Sequence, residues 1–279
     1  LVGSEMCIRD SLGSVIFISG FQQVFTYSKV ALILVLGALG FAVGQAQDVS
    51  FLPADGDVEL ITSGAFAISL VYVLYAYTGW NAATYMMDDV KQPQRNVPLA
   101  LLIGTSLVTI LYIFINAAFL HSTPIDDIKG EPEVGLIAAQ AILGPRGGMI
   151  MGILISFGLI SSISSMVWAG PRVSAAIGRD YSGLRFLERT NLNGVPAVAI
   201  LIQSLIVIVL ILSATFEQLI NYVQALLTIS SLMVVIGVFH LRIKRPDIKR
   251  PYRAWGYPVT PAVFALVSIY VLWFQLKDK

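Results

Sequence analysis

Seven apolar stretches are the strongest constraint that this sequence places on its fold. Each is close to the ~20 residues that an α-helix needs to cross the hydrocarbon core of a bilayer. They are residues 21–44, 61–87, 98–120, 148–170, 195–213, 218–239 and 258–275. Only 13% of the residues are charged, against about a quarter in soluble domains. The sequence therefore predicts an all-α, polytopic membrane protein and excludes a soluble enzyme or a disordered binding segment.

Basic residues in the loops indicate how the helices are oriented. Loops 88–97, 171–194 and 240–256 together contain 12 Lys and Arg residues, whereas loops 45–60 and 121–147 contain two. Basic loops tend to remain in the cytoplasm. We therefore expect the first three loops to be cytoplasmic and the other two to be external.

The start of the chain and its few metal-binding side chains add little to the predicted function. Residues 1–11, LVGSEMCIRDS, match no helix pattern and are similar to a translated adapter, so we expect a non-native leader.

One cysteine and two histidines (Cys7, His121 and His240) cannot form a disulfide or a usual Cys/His metal site. We expect no cofactor and no metal. The net charge of +1 gives no general attraction to nucleic acid.

The second apolar stretch is interrupted by 75–85, YAYTGWNAATY. Unwound backbone at membrane depth survives only where it lines a cavity or contacts a ligand, so a broken helix is predicted. The freed N–H groups suit a substrate carboxylate, and the rings of Tyr75, Tyr77 and Trp80 could close over an apolar side chain. In the alternative interpretation, Gly79 is a helix-packing contact and the rings form an interfacial belt.

Lys29 is the only one of the 35 charged residues that falls within a predicted span. Ionisable groups inside a membrane are costly and usually functional. Its ammonium could occupy a site that a sodium ion fills in other carriers, or could exchange a proton. The alternative is that its long side chain reaches back to the interface.

A polar stripe runs along the fourth stretch. Gly158, Ser161, Ser165 and Trp168 recur at spacings of three and four residues, with Ser164 beside them, which places them on one helix face. Hydroxyl groups on that face could coordinate an ion or bond to a neighbouring helix.

Three other features are interpreted as structural and not as parts of a functional site. Asp88 and Asp89 could suggest a magnesium-dependent membrane transferase, but the cytoplasmic loops contain no second acidic cluster. Segment 134–144 is too short to span and is expected to lie over the bundle as an external helix or lid. Small-residue helix contacts are expected at Gly37, Gly40, Gly44, Gly148 and Gly152.

Residues 69–101 resemble the sixth helix and following loop of a known transporter family. This segment reads SLVYVLYAYTGWNAATYMMDDVKQPQRNVPLAL, with an aromatic-Ala-aromatic-x-Gly-Trp-Asn core. It is similar to amino-acid permeases of the amino acid, polyamine and organocation (APC) superfamily, especially the L-type exchanger and cationic transporter branch. Residues 162–184 and 241–261 resemble the eighth helix of that family and the link between its tenth and eleventh helices.

The resemblance implies a leucine-transporter-like fold of two inverted five-helix repeats plus two further helices. On this register the seven stretches are helices five to eleven. Residues 12–44 would end the first repeat, 45–239 would form the second, and 240–279 would supply the link and helix eleven. Helices one to four and helix twelve would lie outside this chain.

The family's functional residues can be carried over position by position. Lys29 matches the helix-five lysine that replaces a sodium ion in proton-coupled and exchanging relatives, and Tyr75 takes the position of the gate over the substrate. The implied coupling hydroxyls are those of Ser161, Ser164 and Ser165. The implied substrate segment consists of Tyr75, Ala76, Tyr77, Thr78, Gly79, Trp80 and Asn81.

The expected function is secondary active amino-acid transport by alternating access, as proton-coupled symport or exchange. The expected partners are an amino acid, the lipid bilayer, a proton and the helices of the same protein that lie outside this chain. A bacterial inner (plasma) membrane is the expected location. Two alternatives remain open at this point: a polyamine or organic-cation carrier, and a membrane-embedded transferase.

Overall fold

The protein is described by a computed structural model over residues 2–49, 52–53, 55–81, 83, 90–190, 196–250, 252 and 254–277, excluding the side chains of 2–19, 21, 161, 168 and 169. Within these residues the chain is helical and contains no strand. The prediction of an all-α polytopic protein is confirmed. The helices are α1 (Val2–Ala42), α2 (Asp57–Ile61), α3 (Gly64–Ala76), α4 (Pro93–Ser122), α5 (Ile125–Ile128), α6 (Val134–Asp180), a 3-10 helix (Ser182–Glu188), α7 (Ala197–Ser213), α8 (Phe216–Lys244) and α9 (Val259–Lys277).

Five of the described helices are long and apolar enough to cross a membrane. They are the Gln22–Ala42 part of α1 and the whole of α4, α6, α8 and α9. The predicted stretches 61–87 and 195–213 correspond to the shorter helices α3, of 13 residues, and α7, of 17 residues. At 1.5 Å per residue, α3 extends only about 20 Å, less than the ~30 Å hydrocarbon core. The second stretch is therefore not one continuous spanning helix.

Local hydrogen bonds explain where two of the helices begin. The Ser63 hydroxyl accepts a hydrogen bond from the Phe66 N–H at 3.2 Å and caps α3. Thr215 and Gln218 form a reciprocal capping box at the start of α8, with bonds of 3.4 and 3.1 Å. These bonds satisfy N–H groups that the first turn of a helix leaves without an acceptor.

One compact unit comprises Leu1–Phe51 and Ile103–Gln203. Its hydrophobic core joins Leu36 of α1, Ile115 of α4, and Ala139, Ile142 and Met151 of α6. These elements bury their apolar faces against one another within the unit.

Glycines bring α1 close to α4 in this unit. A Cβ atom at Gly40 would lie 3.2 Å from the Ala118 Cβ, and one at Gly37 would overlap the Phe114 ring. Gly44 faces Ser122 in the same way. The small-residue contacts that the sequence predicts in α1 are therefore present.

Helix α6 is a hairpin of two helical arms rather than one straight rod. Gly144 has φ +73° and ψ 178°, a conformation that favours glycine, and the helical direction changes there. The arm before it folds back on the following one, so that Gly148 faces Gln140 and Gly152 faces Leu136. Segment 134–144 is a short helical arm, as the sequence predicts. It is not the predicted lid, because Ala139 and Ile142 in this arm are part of the hydrophobic core of the unit.

The other compact unit comprises Leu52–Leu102 and Ser204–Lys279. Here α9 packs against α3 and α8, and α3 also contacts α8. The buried residues at these contacts include Ala67, Val71 and Val271. The Tyr270 hydroxyl donates at 3.3 Å to the backbone carbonyl of Ser63, which ties α9 to the start of α3.

Candidate substrate and coupling sites

The predicted break is present at the end of α3. The helix stops at Ala76, and residues 77–81 form turns. Gly79 has φ +101°, which residues with a side chain rarely adopt. The sequence places glycine where the backbone leaves the helical path.

Hydrogen bonds hold the first part of this break. The Thr78 hydroxyl donates to the Tyr75 carbonyl at 2.6 Å, and the Thr78 N–H donates to the same oxygen at 3.0 Å. Among the described residues, the N–H groups of Gly79 and Trp80 have no acceptor. The break therefore offers two backbone donors beside the carbonyl end of α3.

The aromatic side chains of the break lie outside the core of their unit. Tyr75 is 39% exposed and Trp80 is 41% exposed. Tyr77, Thr78, Gly79 and Asn81 are half-buried, whereas Ala76 is exposed. Tyr75 and Trp80 are thus accessible to a ligand. The alternative interpretation, in which the rings form an interfacial belt, predicts the same exposure.

Lys29 lies in the unit that comprises Leu1–Phe51 and Ile103–Gln203. Within this unit its side chain extends from α1 across α6. A Cβ atom at Gly158 would lie 3.5 Å from the Lys29 Cγ and 3.6 Å from its Cε, so the stem passes over this glycine. The ammonium Nζ then donates a hydrogen bond of 2.9 Å to the Ser162 Oγ. Its described polar partner is therefore a hydroxyl on a second helix.

A cavity of about 520 Å³ surrounds this contact, within the range typical of small-molecule sites. Its walls come from α1 and α6, and Ser28, Lys29 and Ser162 are its polar lining residues. The rings of Phe25 and Phe157 stack on the wall with centroids 6.4 Å apart. Lys29 is the one ionisable group among the lining residues that the structure describes.

Ser162 is the hydroxyl that sequence reasoning missed. It lies four residues after Gly158, so a stripe followed in steps of four from that glycine would have included it. Ser164 and Ser165 are half-buried, while the side chain of Ser161 lies outside the described residues. The predicted stripe includes Gly158, over which the Lys29 stem passes, but it omits Ser162, which accepts the hydrogen bond from the Lys29 ammonium.

Other predicted features bear on metal and transferase chemistry. Asp88 and Asp89 lie outside the described residues. Within the described part of the chain, no group of three or more His, Cys, Asp or Glu residues could hold a metal ion.

Comparison with known proteins agrees with the family that the sequence motifs resemble. Residues 11–279 match the amino acid permease family. The Homo sapiens b(0,+)-type amino acid transporter 1 is 26% identical over 265 residues, which cover 92% of this chain and 53% of that protein. The Mus musculus solute carrier family 7 member 12 is 25% identical over 253 residues, covering 90% and 53%. The Oryctolagus cuniculus large neutral amino acids transporter small subunit 2 is 25% identical over 260 residues, covering 91% and 48%.

The chain spans about half the length of these curated relatives. All three are named as amino-acid transporters or solute carriers, and none as an enzyme. The resemblance to the L-type branch that the sequence motifs indicate is confirmed. Because the match extends over nearly the whole sequence, this chain belongs to the amino acid permease family.

Proposed function

We propose that the protein acts in secondary active transport of amino acids by alternating access, with the substrate bound at the break after Ala76. The observation that carries this proposal is the left-handed Gly79 in an interrupted apolar helix of an amino acid permease. Non-helical backbone at membrane depth is tolerated only where it is buried in protein or lines a cavity.

The chemistry of the break suits both charged groups of an amino acid. The N–H groups of Gly79 and Trp80 are available as donors for the carboxylate. The adjacent end of α3 is its C-terminus, and the helix dipole favours a positive charge there, such as the substrate ammonium. The rings of Tyr75 and Trp80 would cover the substrate side chain.

In this proposal, Lys29 couples transport to a proton or to exchange. A hydroxyl both donates and accepts hydrogen bonds, so Ser162 can accept from the ammonium and can donate to the neutral amine. The Lys29–Ser162 contact could therefore persist through protonation and deprotonation. Ser161, Ser164 and Ser165 remain proposed members of the same coupling face.

The alternatives fit the observations less well. A polyamine or organic-cation carrier would need an acid at membrane depth to pair with the additional substrate charge, and the predicted spans of this chain contain no Asp or Glu. A membrane transferase is disfavoured because the family and the relatives are transporters.

The protein is an integral, multi-pass membrane protein. Location in a bacterial inner membrane is part of the proposal, as are the proton and the helices outside this chain as partners. On the family register those helices would complete the substrate site. The 279-residue chain by itself is therefore expected to lack transport activity.

The test uses the complete transporter, meaning this chain together with the helices that the family register places outside it. Ligand-induced thermal stabilisation of this protein tests the function, because a ligand that binds the folded state raises its stability by mass action. We expect amino acids to stabilise it and polyamines to have no effect. Tyr75→Ala and Trp80→Ala should reduce this stabilisation and leave the protein folded, whereas Tyr181→Ala, at an exposed loop tyrosine, should preserve it. Stabilisation by polyamines alone would favour the alternative carrier, and normal binding by both aromatic variants would exclude the break as the site.

A further inference from the structure

The end of α8 is organised by one guanidinium group. Arg250 donates through Nη1 to the carbonyls of Ile248 at 3.0 Å and Pro246 at 3.4 Å. Through Nη2 it donates to Leu241 at 3.1 Å and Arg245 at 2.6 Å. These bonds engage carbonyls at and after the helix end, where intrahelical donors run out. Arg250 therefore holds the turn after α8 in one shape.

A second guanidinium is held beside this turn by an aromatic ring. The Arg242 Cζ lies 3.8 Å from the Tyr257 ring centroid. The Tyr257 ring in turn lies 5.4 Å from the Phe239 ring. A guanidinium that stacks through its face keeps the N–H donors at its edge available.

Between these groups lies a cavity of about 510 Å³, which we call the link cavity. Arg242, Lys249 and Arg250 line it, with Asp247 as the acidic lining residue. Lys244 and Arg245 are close in sequence, which gives 241–250 five basic residues and one acid. The structure shows no ion pair between these basic residues and a described acidic residue. The link cavity is therefore a concentration of positive charge with a defined wall.

The surroundings of the link cavity suit a lipid better than a freely dissolved anion. Ile243 is 77% exposed, Tyr252 is 52% exposed and Trp255 is 73% exposed. Tyr and Trp are enriched at membrane–water interfaces. Helix α8, which is long and apolar enough to cross a membrane, ends directly at the link. Basic clusters next to the cytoplasmic end of a spanning helix attract anionic lipids, and 240–256 is predicted to be cytoplasmic.

We infer that the link cavity binds the phosphate of an anionic phospholipid headgroup. Arg242 and Lys249 supply the cationic contacts, while Arg250 is a positioning residue that shapes the turn. The exposed aromatic and apolar side chains contact the adjoining lipid. This site is separate from the proposed transport chemistry and does not depend on it.

Thermal unfolding of the purified 279-residue chain in detergent tests the site. The probes are short-chain phosphatidic acid, short-chain phosphatidylcholine and inorganic phosphate. We expect phosphatidic acid to raise the unfolding midpoint and the other two to leave it unchanged. Native mass spectrometry should show phosphatidic acid retained on the protein. Equal stabilisation by inorganic phosphate would identify a soluble anion as the ligand and would overturn the lipid assignment.

Charge-matched variants separate a built site from general attraction. Arg242→Gln with Lys249→Gln should weaken phosphatidic acid binding about 25-fold, at about fivefold for each cation. The control is Arg185→Gln with Arg189→Gln, which removes the same charge from another loop predicted to be cytoplasmic and should leave binding unchanged. An equal loss in the control would overturn the site. If the target double variant does not fold, Lys249→Gln alone, at an exposed position, should give the fivefold loss, and unchanged binding in it would refute the inference.

Discussion

The Lys29 ammonium donates a hydrogen bond of 2.9 Å to the Ser162 hydroxyl, joining α1 to α6. The two residues are 133 positions apart in the chain. In the proposed function, this contact rather than the membrane interface is the partner of the Lys29 side chain. It also gives the coupling proposal a specific partner residue.

Lys29→Gln in the complete transporter should abolish or uncouple transport while substrate binding is retained. The amide preserves hydrogen bonding but loses the charge that is proposed to replace a coupling cation. Uptake into liposomes under imposed pH gradients measures the coupling, and thermal stabilisation by substrate measures binding. Lys91→Gln is the control, because Lys91 is an exposed loop lysine. Unchanged uptake and pH dependence in Lys29→Gln would return Lys29 to the interfacial interpretation.

Ser162→Ala should weaken the coupling of transport to the pH gradient, because the Lys29 side chain loses its described hydrogen-bond partner. Substrate binding should remain close to that of the unmodified protein. Ser164→Ala makes the same chemical change on the same helix and should have the smaller effect. Uptake into liposomes under imposed pH gradients distinguishes the two variants, and a larger loss of coupling in Ser164→Ala would argue against the Lys29–Ser162 contact.

Gly79→Ala should destabilise the protein by about 1–2 kcal/mol, since φ +101° is strained for any residue with a Cβ atom. Gly237→Ala is the matched control within α8, where a Cβ atom would meet nothing within 4 Å. That change should stabilise the helix by about 0.5–1 kcal/mol. Chemical unfolding curves provide both values, and a neutral Gly79→Ala would show that the break does not need a left-handed residue.

The predicted topology can be tested with single cysteines in a Cys7→Ser background. Lys249→Cys should react with an impermeant thiol reagent only after the cells are permeabilised, because basic loops remain in the cytoplasm. Asp55→Cys, in a loop predicted to be external, should react on intact cells. Labelling of position 249 from outside would reverse the orientation.

The sequence predicts the apolar helices well because transfer of side chains into lipid depends mainly on composition over about 20 residues. The break near Gly79 is also predictable, since a polar, glycine-containing run inside an apolar stretch disrupts the pattern of a continuous spanning helix. The return of the 134–143 arm into the core is harder to predict. A short helix at a glycine turn gives no local signal of the surface that it packs against.

Individual side-chain partners are the least predictable part of the site. Several hydroxyls share one face of α6, and only the position of α1 selects Ser162 for Lys29. Arg250 illustrates the same limit, because its acceptors are backbone carbonyls up to nine residues away. Neither hydrophobic periodicity nor residue type identifies contacts of this kind.

Substrate protection at the break tests the central claim most directly. In the complete transporter with every other cysteine replaced by serine, Thr78→Cys places one thiol inside the proposed substrate segment. The measurement is its rate of alkylation with and without a transported amino acid, with spermidine as the comparison. We predict that the amino acid slows the reaction and that spermidine does not. An unchanged rate at saturating concentrations of a transported amino acid would contradict substrate binding at the break.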